Sequence, residues 1–193
     1  MDGLEDRQGS EEMNECEACG ERLAKTRLHE FRDELLGLSG VILVDSVDEF
    51  RCTKCGERIV SIPDLAGLIK AVAVTRAKVS RKLRGRDVRF LRKAMEWNAK
   101  TLAQNLGISE GTVSRWENDK EPMGPSSEKL LRLIVLIELG EETPGIEVDQ
   151  SSVARMAIDP FERGKALELA FQLVPKRVNK KRHRVWGEVR EAA

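Results

Sequence analysis

The chain has 193 residues, in which 33 Lys and Arg are balanced by 33 Asp and Glu, so the formal net charge is zero. At about 150 residues per domain, this length predicts one medium domain or two small ones. The absence of any run of 18 uncharged apolar residues argues against a membrane partner, and the acidic start is unlike an export signal, so we expect a cytoplasmic protein.

The charges are segregated along the chain. Residues 2–21 carry eight acids against Arg7, residues 76–93 carry nine bases against Asp87, and residues 176–190 carry seven bases against Glu188. The net charge of zero is therefore a sum over separate acidic and basic blocks, and it excludes no class of partner, nucleic acid included.

The first part of the chain predicts an acidic leader followed by a small metal-binding module. Residues 1–15 are polar and lack periodicity, which predicts a disordered leader. Residues 16–62 contain two C-x-x-C-G pairs separated by the β-rich stretch Gly40–Val44, which predicts a strand. Lys25–Glu30 is a candidate partner strand.

All four cysteines of the chain stand in these two pairs. Two thiolates three residues apart chelate one ion if the backbone turns tightly between them, and two such pairs make the tetrahedral four-sulfur site of structural zinc. Disulfides are disfavoured without an export signal, and a redox C-x-x-C usually occurs once, at a helix start. A four-thiolate iron–sulfur cluster stays open. The sequence predicts one structural Zn²⁺ per chain on Cys16, Cys19, Cys52 and Cys55.

The rest of the chain predicts helices. Helical apolar spacing over residues 63–84 predicts a connecting helix, and residues 85–140 contain several short helical patterns. Residues 141–158 are a polar linker. Residues 159–193 predict a helix, with Leu167, Ala170, Phe171 and Val174 as its apolar face, followed by a basic tail of unknown role.

The strongest functional pattern lies between Ala99 and Asn118. Asn98 and Ser109 are candidate caps of two successive helices, and Gly107 allows the turn between them. The apolar residues of the second helix face inward, so its other residues are predicted to lie in a DNA major groove. Arg115 is suited to pair with guanine, and the adjacent basic block is suited to bind phosphates. The predicted DNA-contacting residues are Arg86, Arg89, Lys100, Ser109, Glu110, Gly111, Thr112, Ser114, Arg115 and Asn118.

Residues 86–138, with the marks Leu-Ala-x-x-Leu-Gly-Ile-Ser and Val-Ser-Arg-Trp-Glu, resemble a Cro-repressor-like (XRE) helix-turn-helix domain. Together with the C-x-x-C-G pairs, the layout of residues 16–140 resembles the MqsA antitoxins, which include members with a YgiT-type zinc finger. The resemblance implies a zinc-bound N-terminal half that contacts a toxin and a C-terminal half that dimerises and represses its own operon. Arg115 matches a base-reading Arg of that family, whereas Gly111 stands where the family can carry a base-reading Asn.

The sequence therefore predicts a mainly α protein with a small N-terminal zinc-bound β module and an XRE-type domain of about five helices. We expect a homodimeric repressor that binds a palindromic operator on double-stranded DNA in the nucleoid, with a toxin as a further partner. The alternatives are an adaptor whose zinc module binds a protein while the helices only oligomerise, and a thiol-exchange enzyme. No phosphate loop or nucleophile elbow indicates catalysis, so we expect no enzyme.

Overall fold

The computed structural model describes residues 15–33, 38–160, 167–178 and 181–189. The predicted acidic leader lies outside the described residues except for Glu15. The described elements form one sheet and a group of helices that lies between its third and fourth strands in the chain. In chain order they are β1 (Leu23–Asp33), β2 (Val41–Cys52), β3 (Arg58–Ser61), α1 (Leu65–Lys78), α2 (Gly85–Ala94), α3 (Ala99–Leu106), α4 (Glu110–Glu117), α5 (Pro125–Leu139), α6 (Gln150–Arg155), β4 (Leu169–Val178) and β5 (Lys181–Glu188).

The sheet is built around β2, in which residues 41–43, 46, 47, 50 and 52 are buried. β1 pairs antiparallel with β2 from one end to the other, which confirms the predicted pairing of the two strands. The opposite edge of β2 is shared: Val41–Leu43 pairs in parallel with β4, and Asp48–Arg51 pairs antiparallel with β3. β5 then pairs antiparallel with β4.

The predicted C-terminal helix is wrong within the described residues. Residues 169–178 and 181–188 are strands, and Phe171, which was assigned to a helix face, is fully buried opposite Leu43 of β2. The same stretch has apolar residues at every second position, at Leu169, Phe171 and Leu173, which suits a strand equally well. Pairing with β2, more than 120 residues earlier in the chain, decides between the two periods. The sheet is therefore neither small nor wholly N-terminal.

The boundaries of the helices also differ from expectation. The predicted connecting helix of residues 63–84 begins after the cap Asp64 but ends at Lys78, and residues 79–84 cross to the next helix in an extended path. The predicted linker of residues 141–158 contains α6 and buries Thr143, Ile146 and Val153, so it is part of the packed structure. Among the described residues, no helix is long and apolar enough to cross a membrane.

Charged side chains inside the protein join the helices to one another. Arg132 of α5 has no exposed surface and pairs with Glu128 at 2.7 Å. Its guanidinium also donates to carbonyl oxygens at the end of α1 and beyond, those of Ala77, Val79 and Arg81. These carbonyls have no helical partner, so Arg132 caps α1 from a neighbouring helix.

A second internal pair lies beside the first. Arg76 of α1 is buried and makes two contacts to the Asp87 carboxylate, at 3.2 and 3.1 Å. The same guanidinium donates to the carbonyls of Arg81 and Lys82, while Asp87 accepts from the backbone N–H of Arg84 at the start of α2. The segment between α1 and α2 is thus held in part by Arg76, which the sequence assigns to a basic block.

We predict that Arg132→Met lowers the free energy of unfolding by about 3–5 kcal/mol, because it leaves the Glu128 charge buried without its partner. Urea unfolding followed by circular dichroism measures the change. If R132M is too unstable to purify, the double variant R132M/E128M removes both charges and is expected to be destabilised less than the sum of the single changes.

The matched control is Arg155→Met, since Arg155 is exposed on α6 and this change is expected to stay within about 0.5 kcal/mol. Equal effects of the changes at positions 132 and 155 would contradict the structural role of the buried pair.

Candidate metal centre and nucleic-acid interface

The two cysteine pairs form turns with the same backbone pattern. In the first turn the N–H groups of Cys19 and Gly20 donate to the carbonyl of Cys16, and the Cys16 N–H donates to Glu21. In the second turn the N–H of Gly56 donates to Cys52, and the Cys52 N–H donates to Glu57. Because β1 and β2 pair with Leu23 opposite Cys52, the sheet brings the two turns together.

The four sulfur atoms form one cluster in which all lie within 4.8 Å of one another. Cys16 and Cys55 are 3.5 Å apart, Cys19 and Cys52 are 3.5 Å apart, and Cys19 and Cys55 are 3.6 Å apart. Four thiolates at about 2.3 Å from a tetrahedral zinc would be separated by about 3.8 Å, so the donor set fits such an ion. The predicted metal-ligating residues are therefore brought together, and His29 pairs instead with Asp45, outside this cluster.

The surroundings of the sulfurs favour a bound cation. Backbone N–H groups, that of Cys55 foremost, lower the pKa of Cys52 to about 6. The pKa of Cys19 is raised to about 12, because the neighbouring sulfurs, led by that of Cys52, outweigh the lowering by the Glu21 N–H. Four thiolates this close cannot all ionise unless a positive charge lies between them. The four cysteines carry no disulfide.

The helical half contains two short helices joined by a tight turn, as the sequence predicts. Asn98 caps α3 by accepting from the Thr101 N–H, and Ser109 caps α4 by accepting from the Thr112 N–H. Gly107 ends α3 with φ +65, the left-handed conformation that favours glycine. The turn between the helices is thus fixed by local sequence.

α4 has a buried face and an exposed face. Val113 and Trp116 are buried against the core with Leu102 and Ala103 of α3. The outward face is polar, and apart from the half-buried Thr112 its residues are exposed. These outward residues are Glu110, Gly111, Thr112, Ser114, Arg115 and Asn118.

Arg115, the predicted base-reading residue, is held in place on this face. Its Nε donates to Glu121 at 2.8 Å and its Nη2 donates to the Thr112 hydroxyl at 3.0 Å. Both Arg115 and Glu121 are about half exposed, so solvent weakens the pair. The guanidinium can exchange the carboxylate for another planar acceptor.

The end of α4 is anchored to α2 by side chains that the sequence interpretation missed. Glu117 accepts from Arg92 at 2.6 and 3.0 Å and from Arg89 at 3.3 Å, and Asp119 accepts from the Gly85 N–H. A β-carbon at Gly85 would lie 2.5 Å from the Trp116 carbonyl oxygen, so this close approach requires glycine. The orientation of α4 therefore depends on α2.

The basic block of residues 76–93 divides into two groups. Five of its nine bases form ion pairs with acids on other elements: Arg76, Lys78, Lys82, Arg89 and Arg92. Among the predicted phosphate contacts, Arg89 is thus engaged with Glu117 and Asn118, whereas Arg86 and Lys100 are exposed at the starts of α2 and α3. Whether any of them contacts DNA stays a prediction.

Comparison with known families decides what this part of the chain is. Residues 88–143 match the family model described as Helix-turn-helix, which spans α2 to the end of α5. These residues form an XRE-type helix-turn-helix domain. The family is one of DNA-binding regulators, and the sheet and α1 lie outside the match. No curated protein and no solved structure is significantly similar to the chain, so the likeness to the MqsA antitoxins stays a prediction.

Proposed function

We propose that the protein is a sequence-specific transcriptional repressor that binds a palindromic operator as a homodimer. The observation that carries this proposal is the exposed polar face of α4, the second helix of the helix-turn-helix domain. In this motif the second helix enters the major groove and its first residues reach the base edges.

The side chains of α4 have distinct roles in this proposal. Arg115 leaves Glu121 and pairs with guanine O6 and N7. Ser114 and Thr112 contact phosphate or a thymine methyl, and Gly111 presents only backbone. The remaining predicted contacts lie around them: Glu110 and Asn118 border the base-reading surface, and Lys100, Arg86 and Arg89 neutralise the flanking phosphates.

We predict that Arg115→Ala lowers the preference for the operator over a random duplex by about 1–3 kcal/mol, since one bidentate base contact is lost. Fluorescence anisotropy with labelled duplexes at fixed salt measures both affinities. Glu121→Gln is the companion variant, and it is expected to tighten operator binding because it removes the negative charge that competes for Arg115. An unchanged ratio of the two affinities in R115A would rule out the proposed reading helix.

The proposed dimer contact is an apolar stripe on α5. Leu130 and Ile137 are 43% and 59% exposed, although both are large and apolar, and Ile134 lies between them on the same side of the helix. A palindromic operator requires two copies related by a two-fold axis, which makes such a surface self-complementary.

We predict that Ile137→Glu converts the dimer into a monomer and lowers operator affinity, while the helical circular dichroism signal is retained because the side chain is exposed in the single chain. Sedimentation velocity reports the oligomeric state. Leu65→Glu changes an equally apolar residue, 46% exposed at the start of α1, and is expected to leave the dimer intact. A monomeric parent protein would contradict the stripe as a dimer contact.

In the same proposal the four cysteines hold one structural zinc. The support is the sulfur spacing and the repeated turn described above. The metal would tie residue Cys16, at the start of the described chain, to the far end of β2. With four protein ligands no position is left for water, so the chemistry implied is structural.

We predict one zinc per chain in metal analysis of the purified full-length protein, and its loss in Cys52→Ser. Thr53→Ser, which changes a residue between two ligands without removing a sulfur, is expected to keep the metal. The helical circular dichroism signal should persist in C52S, because all four cysteines lie on or beside the sheet strands and none lies in a helix. Stoichiometric iron with visible absorbance would instead identify an iron–sulfur cluster.

The antitoxin role is the most specific part of the proposal, and it is supported by the resemblance of residues 16–140 to the MqsA antitoxins. The sheet also favours a protein partner, because β1 is an edge strand of 11 residues whose outer edge has no described strand beside it. Such an edge can accept a strand from another chain. A neighbouring gene for a small basic ribonuclease would support this role, and a stand-alone gene would favour a simple regulator.

A further inference from the structure

The hairpin of β4 and β5 has an anchored end and a basic end. At the anchored end Phe171 and Trp186 are buried, and the Trp186 indole donates to the carbonyls of Pro63 and Asp64. At the other end every charged side chain is basic and exposed. We call this end the basic ribbon, and its residues are Lys176, Arg177, Lys181, Arg182, His183 and Arg184.

The register of the hairpin places bases opposite bases. Arg177 pairs with Arg182, and Lys176 pairs with His183. Since strand residues alternate between faces, Arg177, Arg182 and Arg184 share one face, and the lysines share the other with His183. Like charges directly opposite each other destabilise a strand pair, so an anion placed across the ribbon would stabilise it.

No acid neutralises the basic ribbon within the described part of the chain. The five lysines and arginines of the ribbon take part in none of the described ion pairs, whereas Lys78 and Glu188 pair at 2.8 Å at the anchored end. This distinguishes the ribbon from the basic block of residues 76–93, most of which is paired internally. Its charge is therefore directed to something outside the described chain.

The basic ribbon and α4 lie toward opposite ends of α1. Glu188 contacts Thr75 and Lys78 near the end of α1, and Trp186 contacts Pro63 and Asp64 just before its start. From Glu188 back to Trp186, β5 runs from the end of α1 toward its start, and its earlier residues continue in the same direction. Lys181 therefore lies about 17 Å beyond Trp186, at 3.4 Å per residue. The helix-turn-helix domain is attached at the other end, after Lys78.

We propose that the basic ribbon binds the phosphate backbone of duplex DNA independently of α4, so that one chain can hold two separate duplex segments. A two-stranded ribbon fits the major groove, and a groove has phosphates on both walls, which matches a ribbon that is basic on both faces. Three arginines on one face also favour phosphate, because the guanidinium makes two parallel hydrogen bonds to it. Binding of DNA by the ribbon does not depend on the proposed function. The bridging of two duplex segments does rest on the proposed function, because α4 must hold the operator.

The first test measures ribbon binding alone. The variant R177Q/R182Q/R184Q removes the arginine face, and binding to a labelled random duplex is followed across salt concentrations. The slope of log Kobs against log salt is expected to become shallower by about 2–3, because each lost phosphate contact removes about 0.9. The control R22Q/K54Q/R155Q removes the same charge from exposed positions off the ribbon, and its slope is expected to remain that of the parent.

Equal slopes for the two triple variants would overturn the proposal, because the effect would then be one of net charge. So would a ribbon variant that binds the random duplex as the parent does, and this result would point to an acidic protein surface as the partner. Thermal unfolding checks that both variants are folded. Since the random duplex needs no operator, a loss of operator preference in R115A with a retained ribbon effect would separate the two proposals.

The second test measures bridging. Operator duplex is immobilised, the protein is bound, and capture of a free labelled random duplex is recorded. The parent protein is expected to capture it, and R177Q/R182Q/R184Q is expected to retain the operator but lose the second duplex. Capture by the ribbon variant at the level of the parent would show that α4 of another copy holds the second segment, which would overturn bridging by the ribbon.

Discussion

The fold depends on two buried arginines that satisfy the backbone between α1 and α2. Residues 79–84 leave the helix and are half-buried, apart from the buried Leu83, so their carbonyl oxygens are partly shielded from water and need other hydrogen-bond donors. Arg132 and Arg76 donate to these carbonyls and are neutralised by Glu128 and Asp87. This arrangement connects the sheet, through α1, to the helix-turn-helix domain. A buried charge that fulfils several backbone acceptors at once leaves few alternative packings.

The same constraint explains why the basic block was only partly understood from the sequence. Arg76 and Arg86 are the same residue type in the same basic block, yet Arg76 is 2% exposed and Arg86 lies on the surface. Arg76 pairs with Asp87 of α2, an acid on another element, so only the tertiary structure separates a packing arginine from an exposed one. A local excess of charge therefore measures how many bases are present, and it does not measure how many face solvent.

Features that depend on a few adjacent residues were predictable. The caps Asn98 and Ser109, the left-handed Gly107 and the spacing of the cysteine pairs each follow from local chemistry, and the structure places them as expected. The C-terminal hairpin was not predictable in this way. Residues 167–174 satisfy both a helical and a strand period, and the choice rests on the pairing of Phe171 with Leu43. The register also brings Arg177 opposite Arg182, and no reading of the basic tail as a linear run could show this.

The zero net charge now has a physical interpretation. Acids that pair inside the protein, such as Glu128 and Glu117, are matched by bases that are no longer available to a partner. Two groups of exposed bases lie apart from each other: Arg86 and Lys100 at the starts of α2 and α3, and the basic ribbon at the other end of α1. At a distance greater than the Debye length, about 8 Å at physiological salt, each place presents its own field and the molecular sum has little effect. A neutral chain can thus present two separate regions of positive potential, and because each phosphate contact releases counterions, the salt dependence of binding follows the number of contacts and not the net charge.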